Sequence, residues 1–468
     1  MKRSKYLMKN MGILTISNFS SKILVFLLVP LYTSVLSTVE YGFYDLAVSI
    51  ATLLYPILTL NIVDAVMRFS MDQTCDKKNV ASIGMKFVSI SILLFGLGMY
   101  ILHSSKLWPD INRLELYIFF YFISYVLNQF LIQFSKGLEK VIDMGAAGII
   151  STAVTIIANV LFLLVFKWGL VGFFFANILA QAVSAVYLGL RTKIWSYVDL
   201  NVKDKQLQKE MLVYSIPLIA TTVGWWVNST ADKYVVAFMV GIASNGILSV
   251  SYKIPQIINT LQSIFIQAWH ISAIKEYGEQ DTARFYGKTF VIINLMMCAA
   301  CSWLILLTRV LAHILYAKDF YQAWHYVPFL LISSVLNCAS GLLGPILSAQ
   351  KNSKAMMWSA LIGAGTNIVM NSVFVYFIGI QGATIATVIS SYIIYAVRKI
   401  AVGREIKIDG YAGVLLTWVL LCVQAAIESY FGNYVLEAII MVVLILINLK
   451  PLKQLFLMGK GMLLSIKG

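Results

Sequence analysis

The chain has 468 residues, of which 60% are hydrophobic and only 12% are charged. Because soluble proteins carry about 25% charged residues, this composition excludes a water-soluble globule and indicates an integral membrane protein. The formal net charge of +15 does not indicate a nucleic-acid-binding protein, because the basic residues are spread over many short loops. An excess of Lys and Arg on the cytoplasmic side of a helical membrane protein accounts for this charge.

Apolar segments of helical length recur along the whole chain, which favours membrane-spanning helices over a β-barrel. We predict an all-α integral membrane protein with about 14 transmembrane helices. In chain order the predicted spans lie near residues 11–36, 41–67, 82–102, 114–135, 145–166, 169–190, 212–240, 245–271, 287–312, 324–349, 356–378, 380–397, 411–430 and 433–449.

The loops between these spans predict the orientation of the chain. With a cytoplasmic N-terminus, most Lys and Arg residues fall in inside segments, and both termini then face the cytoplasm. We interpret the first span as a retained helix rather than a signal peptide, because no small-residue cleavage site follows it. The basic residues that fall on the outside are Lys106, Arg113, Lys167, Arg309 and Lys318.

The sequence lacks the motifs expected of a membrane enzyme. The predicted outer loops are short, and the chain contains no Gly-rich phosphate loop, nucleophile elbow or His/Glu zinc spacing. We therefore predict no catalytic residues, no metal and no cofactor. Cys298 and Cys301 form a CxxC, but no second Cys or His pair lies nearby, so we assign them to packing.

Two halves of the sequence resemble each other, with matches that recur after roughly 204–212 residues. An even number of helices per repeat gives both repeats the same orientation, so we predict two parallel six-helix repeats around a central cavity. The alternative is a duplication that only builds a stable bundle. The matches pair Gly42 with Gly246, Asn159 with Asn371, Gly169 with Gly379, and Gly172 with Gly382. The predicted domains are an N-terminal lobe at 1–200, a C-terminal lobe at 201–405, and two additional helices with a basic tail at 406–468.

Polar residues recur at helical spacing in several predicted spans. In lipid such a stripe must face other helices or water, because unsatisfied polar groups in hydrocarbon are expensive. We predict that the stripe on span 245–271 lines a hydrated cavity, and interhelical hydrogen bonding is the alternative. That stripe consists of Lys253, Gln256, Thr260, Ser263, Gln267 and His270. Further polar lines are Thr221, Trp225, Asn228 and Asp232; Asp45, Ser49, Thr52 and Thr59; and Asn18, Ser21 and Lys22.

Asp232 and Lys253 are predicted to lie at the same depth on neighbouring antiparallel helices, both roughly 12 Å below the outer end. They are expected to pair, either within a binding cavity or as an ion pair that only fixes helix packing. Lys233 is rotated by about 100° from Asp232, so its side chain is expected to face elsewhere. Asp64 and Arg68 lie one helical turn apart and are expected to form an intrahelical pair.

The charges of span 212–240 are not repeated in the first half, where the duplication aligns Asp232 with Leu28 and Lys253 with Ser49. We therefore connect these charges with a ligand or coupling ion rather than with the fold. As coupling carboxylates we predict Asp232 and Asp45. As cavity residues we predict Lys22, Asn228, Asp232, Lys233, Lys253, Gln256, Ser263 and Gln267.

Three segments resemble bacterial polysaccharide-biosynthesis flippases, members of the multidrug/oligosaccharidyl-lipid/polysaccharide exporter superfamily. The segment at 31–69, "LYTSVLSTVEYGFYDLAVSIATLLYPILTLNIVDAVMRF", is similar to their N-terminal pattern. The segment at 231–254, "ADKYVVAFMVGIASNGILSVSYKI", is similar to their seventh and eighth helices, with Asp-Lys in place of the commoner Asp-Arg. The segment at 379–390, "GIQGATIATVIS", is similar to their twelfth helix.

The resemblance implies a flippase for an undecaprenyl-diphosphate-linked repeat unit of O-antigen, capsule or exopolysaccharide. It implies a bacterial cytoplasmic (inner) membrane, transport driven by an H⁺ or Na⁺ gradient or by the membrane potential, and no cofactor. Membrane lipid, a polysaccharide polymerase and a chain-length regulator are the expected partners, with no nucleic acid. The alternatives are an ion-coupled multidrug or small-solute exporter of the same superfamily, and a non-transporting scaffold of a glycan-assembly complex.

Overall fold

A computed structural model of the protein describes residues 26–105, 114–199, 204–279, 281–350, 352–408 and 411–448. This part of the chain is helical and contains no strand. Its α-helices are α1 (Val29–Val35), α2 (Thr38–Leu58), α3 (Ile62–Ser70), α4 (Lys77–Ser105), α5 (Glu115–Gly137), α6 (Val141–Asn159), α7 (Gly169–Thr192), α8 (Lys205–Met239), α9 (Ile242–Ser251), α10 (Pro255–Lys275), α11 (Thr282–Leu306), α12 (Thr308–Leu315), α13 (Val327–Ala349), α14 (Ser353–Ile378), α15 (Ile380–Val402), α16 (Tyr411–Ala426) and α17 (Tyr434–Ile447). Two π-helical turns, Val160–Val165 and Ile427–Phe431, extend α6 and α16, and 3₁₀ turns occupy Ile194–Ser196, Lys318–Tyr326 and Gly403–Glu405.

The described helices confirm an all-α, multi-pass membrane protein. Within these residues, 11 helices are long and apolar enough to cross a membrane, by length and composition. The shorter helices α9 and α17 are also apolar. Each predicted span from 41–67 to 433–449 coincides with one helix or with two consecutive helices, whereas most of span 11–36 lies outside the described residues.

Three predicted spans are interrupted in the structure. Span 41–67 divides into α2 and α3 at Leu60 and Asn61, whose φ angles of 52° and 50° are left-handed. Span 245–271 divides into α9 and α10 just before Pro255, because proline has no N–H to donate and disfavours helical geometry in the preceding residue. Span 287–312 divides at Leu307.

The chain divides into two compact units within α8, between Trp226 and Val227. The core of the first unit is rich in aromatic side chains of α5, including the fully buried Phe122, Phe130 and Phe134. In the second unit the segment Lys318–Ala349, which contains α13, is the most buried of the described spans. The helices α10, α11 and α15 pack against α13.

The two duplicated hairpins, α6–α7 and α14–α15, share local geometry as well as sequence. Asn159 and Asn371 are buried, and each donates its side-chain N–H to the backbone carbonyl four residues earlier, at 2.7 and 2.9 Å. Gly169 and Gly379 have φ angles of +54° and +59°, in the left-handed region that favours glycine. The same sequence pattern therefore places a buried asparagine and a glycine with positive φ at matching points of both hairpins.

The helices of each hairpin approach closely at the second glycine of the pattern. A Cβ atom on Gly172 would lie 3.0 Å from the Cβ of Phe162, and one on Gly382 would lie 2.3 Å from the carbonyl of Phe374. Small residues at such positions let helix backbones meet in the membrane, where packing rather than the hydrophobic effect drives association.

We expect Gly382→Ala to destabilise the α14–α15 hairpin by about 1–3 kcal/mol, because its methyl group would force apart two backbones that cannot yield locally. The melting temperature of the detergent-solubilised protein measures this effect. Gly365→Ala on α14 is the matched control, since a Cβ atom added there would have no neighbour within 4 Å outside its own helix backbone. Equal melting temperatures for the two variants would contradict the close packing at Gly382.

Candidate functional site

A cluster of charged side chains lies in the second unit, around Tyr252. Asp232 on α8 is 3% exposed, and one of its carboxylate oxygens accepts a hydrogen bond from the Tyr252 hydroxyl. Its other oxygen accepts the backbone N–H of Lys233 at 2.9 Å. One side-chain donor and one backbone donor therefore hold this buried carboxylate in place.

The same tyrosine also contacts the neighbouring lysine. The Lys233 ammonium lies 5.9 Å from the centroid of the Tyr252 ring, within the range of a cation–π interaction. The expectation that helical phase turns Lys233 away from Asp232 is therefore only partly correct. The Lys233 side chain is flexible and the Tyr252 side chain is long. The Lys233 ammonium can therefore lie near the phenol ring while the Asp232 carboxylate binds the phenol hydroxyl.

Lys253 follows Tyr252 directly, in the short break between α9 and α10. Its side chain is half-buried, and its backbone N–H donates to the carbonyl of Val250 at 2.9 Å. Lys253 is therefore the chain neighbour of the tyrosine that binds Asp232. The predicted contact between Lys253 and Asp232 stays a prediction.

The polar stripe of α10 contains two kinds of side chain. The hydroxyls of Thr260 and Ser263 donate to carbonyls of their own helix, at 2.7 and 2.8 Å, so neither needs water or a partner helix. Gln256 and His270 are exposed and present longer polar groups. Asn228 on α8 is half-buried. Lys22 and the side chain of Gln267 lie outside the described part of the structure.

Asp45, the other predicted coupling carboxylate, is half-buried on α2 in the first unit. One turn further along α2, the indole N–H of Trp226 donates to the carbonyl of Ser49 at 3.0 Å. The duplication aligns Ser49 with Lys253. At this position the first unit therefore has a hydrogen bond to the backbone carbonyl, whereas the second unit has a lysine.

The prediction that Asp64 pairs with Arg68 is wrong. The two Asp64 oxygens accept the side-chain amides of Asn61 and Gln133, each at 2.9 Å, and Arg68 instead lies 4.0 Å from Asp72 at the surface. Asn61 precedes α3 in a left-handed conformation, which brings its amide over the first turn that holds Asp64.

Tyr252 joins the candidate site through its contacts with Asp232 and Lys233, although the sequence pattern did not predict it. The sequence feature that could have identified Tyr252 is its position beside Lys253, since a long side chain with a hydroxyl can reach a carboxylate on the adjacent helix. Chemically, Asp232, Lys233, Tyr252 and Lys253 provide two cations, one carboxylate and one phenol. Cationic side chains at membrane depth can bind an anionic group such as a phosphate, and a buried carboxylate can bind a proton or a cation.

The family described as "Polysaccharide biosynthesis protein" matches residues 7–270, more than half of the chain. A sequence comparison with the curated proteins finds no match.

Several solved structures are similar in fold. One is described as "Lipid II flippase MurJ, inward closed conformation", with a TM-score of 0.70 and 16% identity over 95% of this chain and 98% of that chain. A second is a multidrug resistance MATE family transporter of the MOP superfamily in an inward-facing conformation, with a TM-score of 0.63 and 13% identity over 90% and 96% of the two chains. A third, a MOP superfamily transporter from Pyrococcus furiosus, has a TM-score of 0.57 and 14% identity over 85% and 96%. At these identities the similarity concerns the fold.

We expect Tyr252→Phe to lower the stability of the protein by about 1.5–3 kcal/mol, because it removes a hydrogen-bond donor from a buried carboxylate. The melting temperature measures this loss, and Tyr376→Phe on α14, at a side chain that is 75% exposed, is the control. In a double-mutant cycle Asp232→Leu, which leaves no acceptor for the hydroxyl, should remove most of the effect of Tyr252→Phe. Additive losses from the two changes would contradict the hydrogen bond.

Proposed function

This chain belongs to the polysaccharide biosynthesis protein family, and from that premise we propose that it is a flippase for a lipid-linked glycan. The cargo is a polyprenyl-diphosphate-linked oligosaccharide repeat unit, which the protein moves from the inner to the outer leaflet of the bacterial cytoplasmic membrane by alternating access. The glycan serves O-antigen, capsule or exopolysaccharide synthesis. Similarity in fold to a lipid II flippase and to other transporters supports a transporter rather than an enzyme.

The observation that carries the proposal is the contact of Lys233 with Tyr252, which Lys253 follows directly in the chain. Asp232 lies about two helical turns, or about 11 Å, before the end of α8 at Met239. Lysine side chains at such a depth are expensive in a hydrocarbon core about 30 Å thick unless water or an anion meets them. A diphosphate supplies that anion, while the polyprenyl chain stays in the lipid.

The charge balance of the cluster favours an anionic cargo. Lys233 and Lys253 outnumber Asp232, so the four-residue cluster with Tyr252 has a net positive charge when all three groups are ionised. An exporter of organic cations needs the opposite balance, with carboxylates in excess. The similarity in fold to a multidrug transporter does not by itself favour that alternative.

Asp232 is also the carboxylate that we propose to couple transport to an ion gradient. Its hydrogen bond from Tyr252 is compatible with a charged carboxylate, and protonation or Na⁺ binding would change the charge balance beside both lysines. Asp45 in the first unit is the second coupling candidate. The membrane potential is the remaining energy source, since translocation of a diphosphate across the membrane moves charge.

We expect Lys253→Ala to abolish transport of a polyprenyl-diphosphate-linked oligosaccharide in proteoliposomes, because it removes one of the cations that would meet the diphosphate. Transport is measured as exposure of the glycan to a sugar-binding protein on the opposite side of the membrane. Lys253→Arg should retain transport, since arginine keeps the positive charge.

Lys354→Ala is the matched control, because Lys354 is exposed in the first turn of α14 and outside the cluster. Full transport by Lys253→Ala, with normal insertion and yield, would reject the assigned role of Lys253. Export of organic cations by the wild-type protein, without glycan transport, would support the multidrug alternative. Absence of any transport, with glycan output preserved in cells by Lys253→Ala, would support the scaffold.

A further inference from the structure

The turn between α16 and α17 buries two carboxyl groups that the proposed transport function does not use. Glu428 lies in the π-helical turn Ile427–Phe431, and Glu437 lies in the first turn of α17. Both residues are 0% exposed, so the protein itself covers them before any lipid is considered. The two carboxyl groups lie within hydrogen-bonding reach of each other.

One guanidinium group accompanies this pair. The Nε atom of Arg309, on α12, lies 3.2 Å from Oε1 of Glu428, and its Nη2 donates to the Glu428 backbone carbonyl at 3.3 Å. The guanidinium lies 4.2 Å from the ring centroid of Trp324 and 5.6 Å from that of Tyr434. Arg309 is thus held in place from three sides and balances one negative charge.

The backbone of the turn is shaped around this guanidinium. A Cβ atom on Gly432 would lie 1.8 Å from Nη2 of Arg309, and the φ angle of Gly432 is +60°. A residue with a side chain would therefore both strain the backbone and displace Arg309. The π-helical turn that precedes Gly432 is a geometry found frequently at functional sites.

His325 is the other titratable group that faces the carboxyl pair in the described part of the chain. Its Nδ1 lies 3.2 Å from the carbonyl of Ser429, and the Ser429 hydroxyl donates to the His325 carbonyl at 3.0 Å. These contacts join the 3₁₀ turn Lys318–Tyr326 to the end of α16. The exposed imidazole contacts the backbone of this turn rather than the carboxyl oxygens, so it does not supply the donor that the second carboxylate lacks.

The pair has a deficit of both positive charge and hydrogen-bond donors. Within the described residues, none of the four carboxyl oxygens of Glu428 and Glu437 has a well-directed hydrogen bond. Two ionised carboxylates beside one guanidinium would leave a buried negative charge, which is unfavourable in a low-dielectric interior. One proton shared by the two groups removes the extra charge and supplies the missing donor.

We propose that Glu428 and Glu437 form a proton-binding site, which holds one proton at neutral pH beside Arg309. Bound proton and guanidinium together make the cluster electrically neutral, and the neutral cluster fastens α17 and the end of α16 to α12 and the Lys318–Tyr326 turn. Removal of the proton at alkaline pH leaves an unbalanced charge at this junction. The stability contributed by the proton is fully present below the pKa of an unfolded glutamate and is lost as the pH rises from there to alkaline values.

Infrared spectroscopy of the full-length protein in lipid tests the site directly. We expect the wild-type protein at neutral pH to show the carbonyl stretch of a protonated carboxylic acid, with the shift in deuterated water that marks an exchangeable proton. Glu437→Gln should remove this band, as should titration to alkaline pH. A wild-type spectrum that matches the Glu437→Gln spectrum in this region would overturn the proposal.

The pH dependence of the melting temperature provides a second readout. The wild-type melting temperature should fall as the pH rises from mildly acidic to alkaline values, and the fall should be smaller in Glu437→Gln, because glutamine imitates the protonated group without titrating. Glu276→Gln, at an exposed position after α10, is the matched control and should keep the wild-type profile. Stabilisation of the wild type but not of Glu437→Gln by Na⁺, at constant ionic strength against choline, would show a metal cation in place of the proton and reject the inference.

Discussion

Hydrocarbon offers no hydrogen bonds to a polypeptide, so every backbone N–H and C=O group within a span must find its partner inside the protein. Unbroken α-helices meet this requirement with their own ladders, which explains why the described chain is helical. Each interruption of a helix therefore needs a local solution. At Pro255 the ladder ends and a new helix begins, and at Asn61 a left-handed residue turns the chain between α2 and α3.

These interruptions lie close to the polar groups of the protein. Tyr252 and Lys253 occupy the break between α9 and α10, Asn61 contributes its amide to Asp64, and Glu428 lies in a π-helical turn. A break frees the chain from strict helical phase, so that a side chain can point where a regular helix would not direct it. Polar chemistry and irregular backbone thus occur together in the described spans.

The span pattern and the glycine corners could be predicted from the sequence because they depend on local features: apolar length, and a glycine where φ is positive or two backbones touch. The partners of charged side chains could not, because they depend on how helices distant in sequence approach. Asp64 and Arg68 have ideal helical spacing, yet the amide of Gln133 reaches Asp64 from α5. Likewise the environment of Glu428 is fixed by Arg309, which is more than 100 residues away in sequence.

The duplicated corners at Gly169 and Gly379 have one further consequence, which concerns stoichiometry. In an assembly of two identical halves every charged residue occurs twice, so a binding group on one half is always accompanied by its copy. Fusion of two similar halves in one chain removes that restriction. The pair Asp232–Lys233 occurs in the second half, whereas the aligned positions of the first half are Leu28 and Val29. Under the proposed function, one set of charges per chain corresponds to one cargo molecule per transport cycle, even though the sequence provides the scaffold twice.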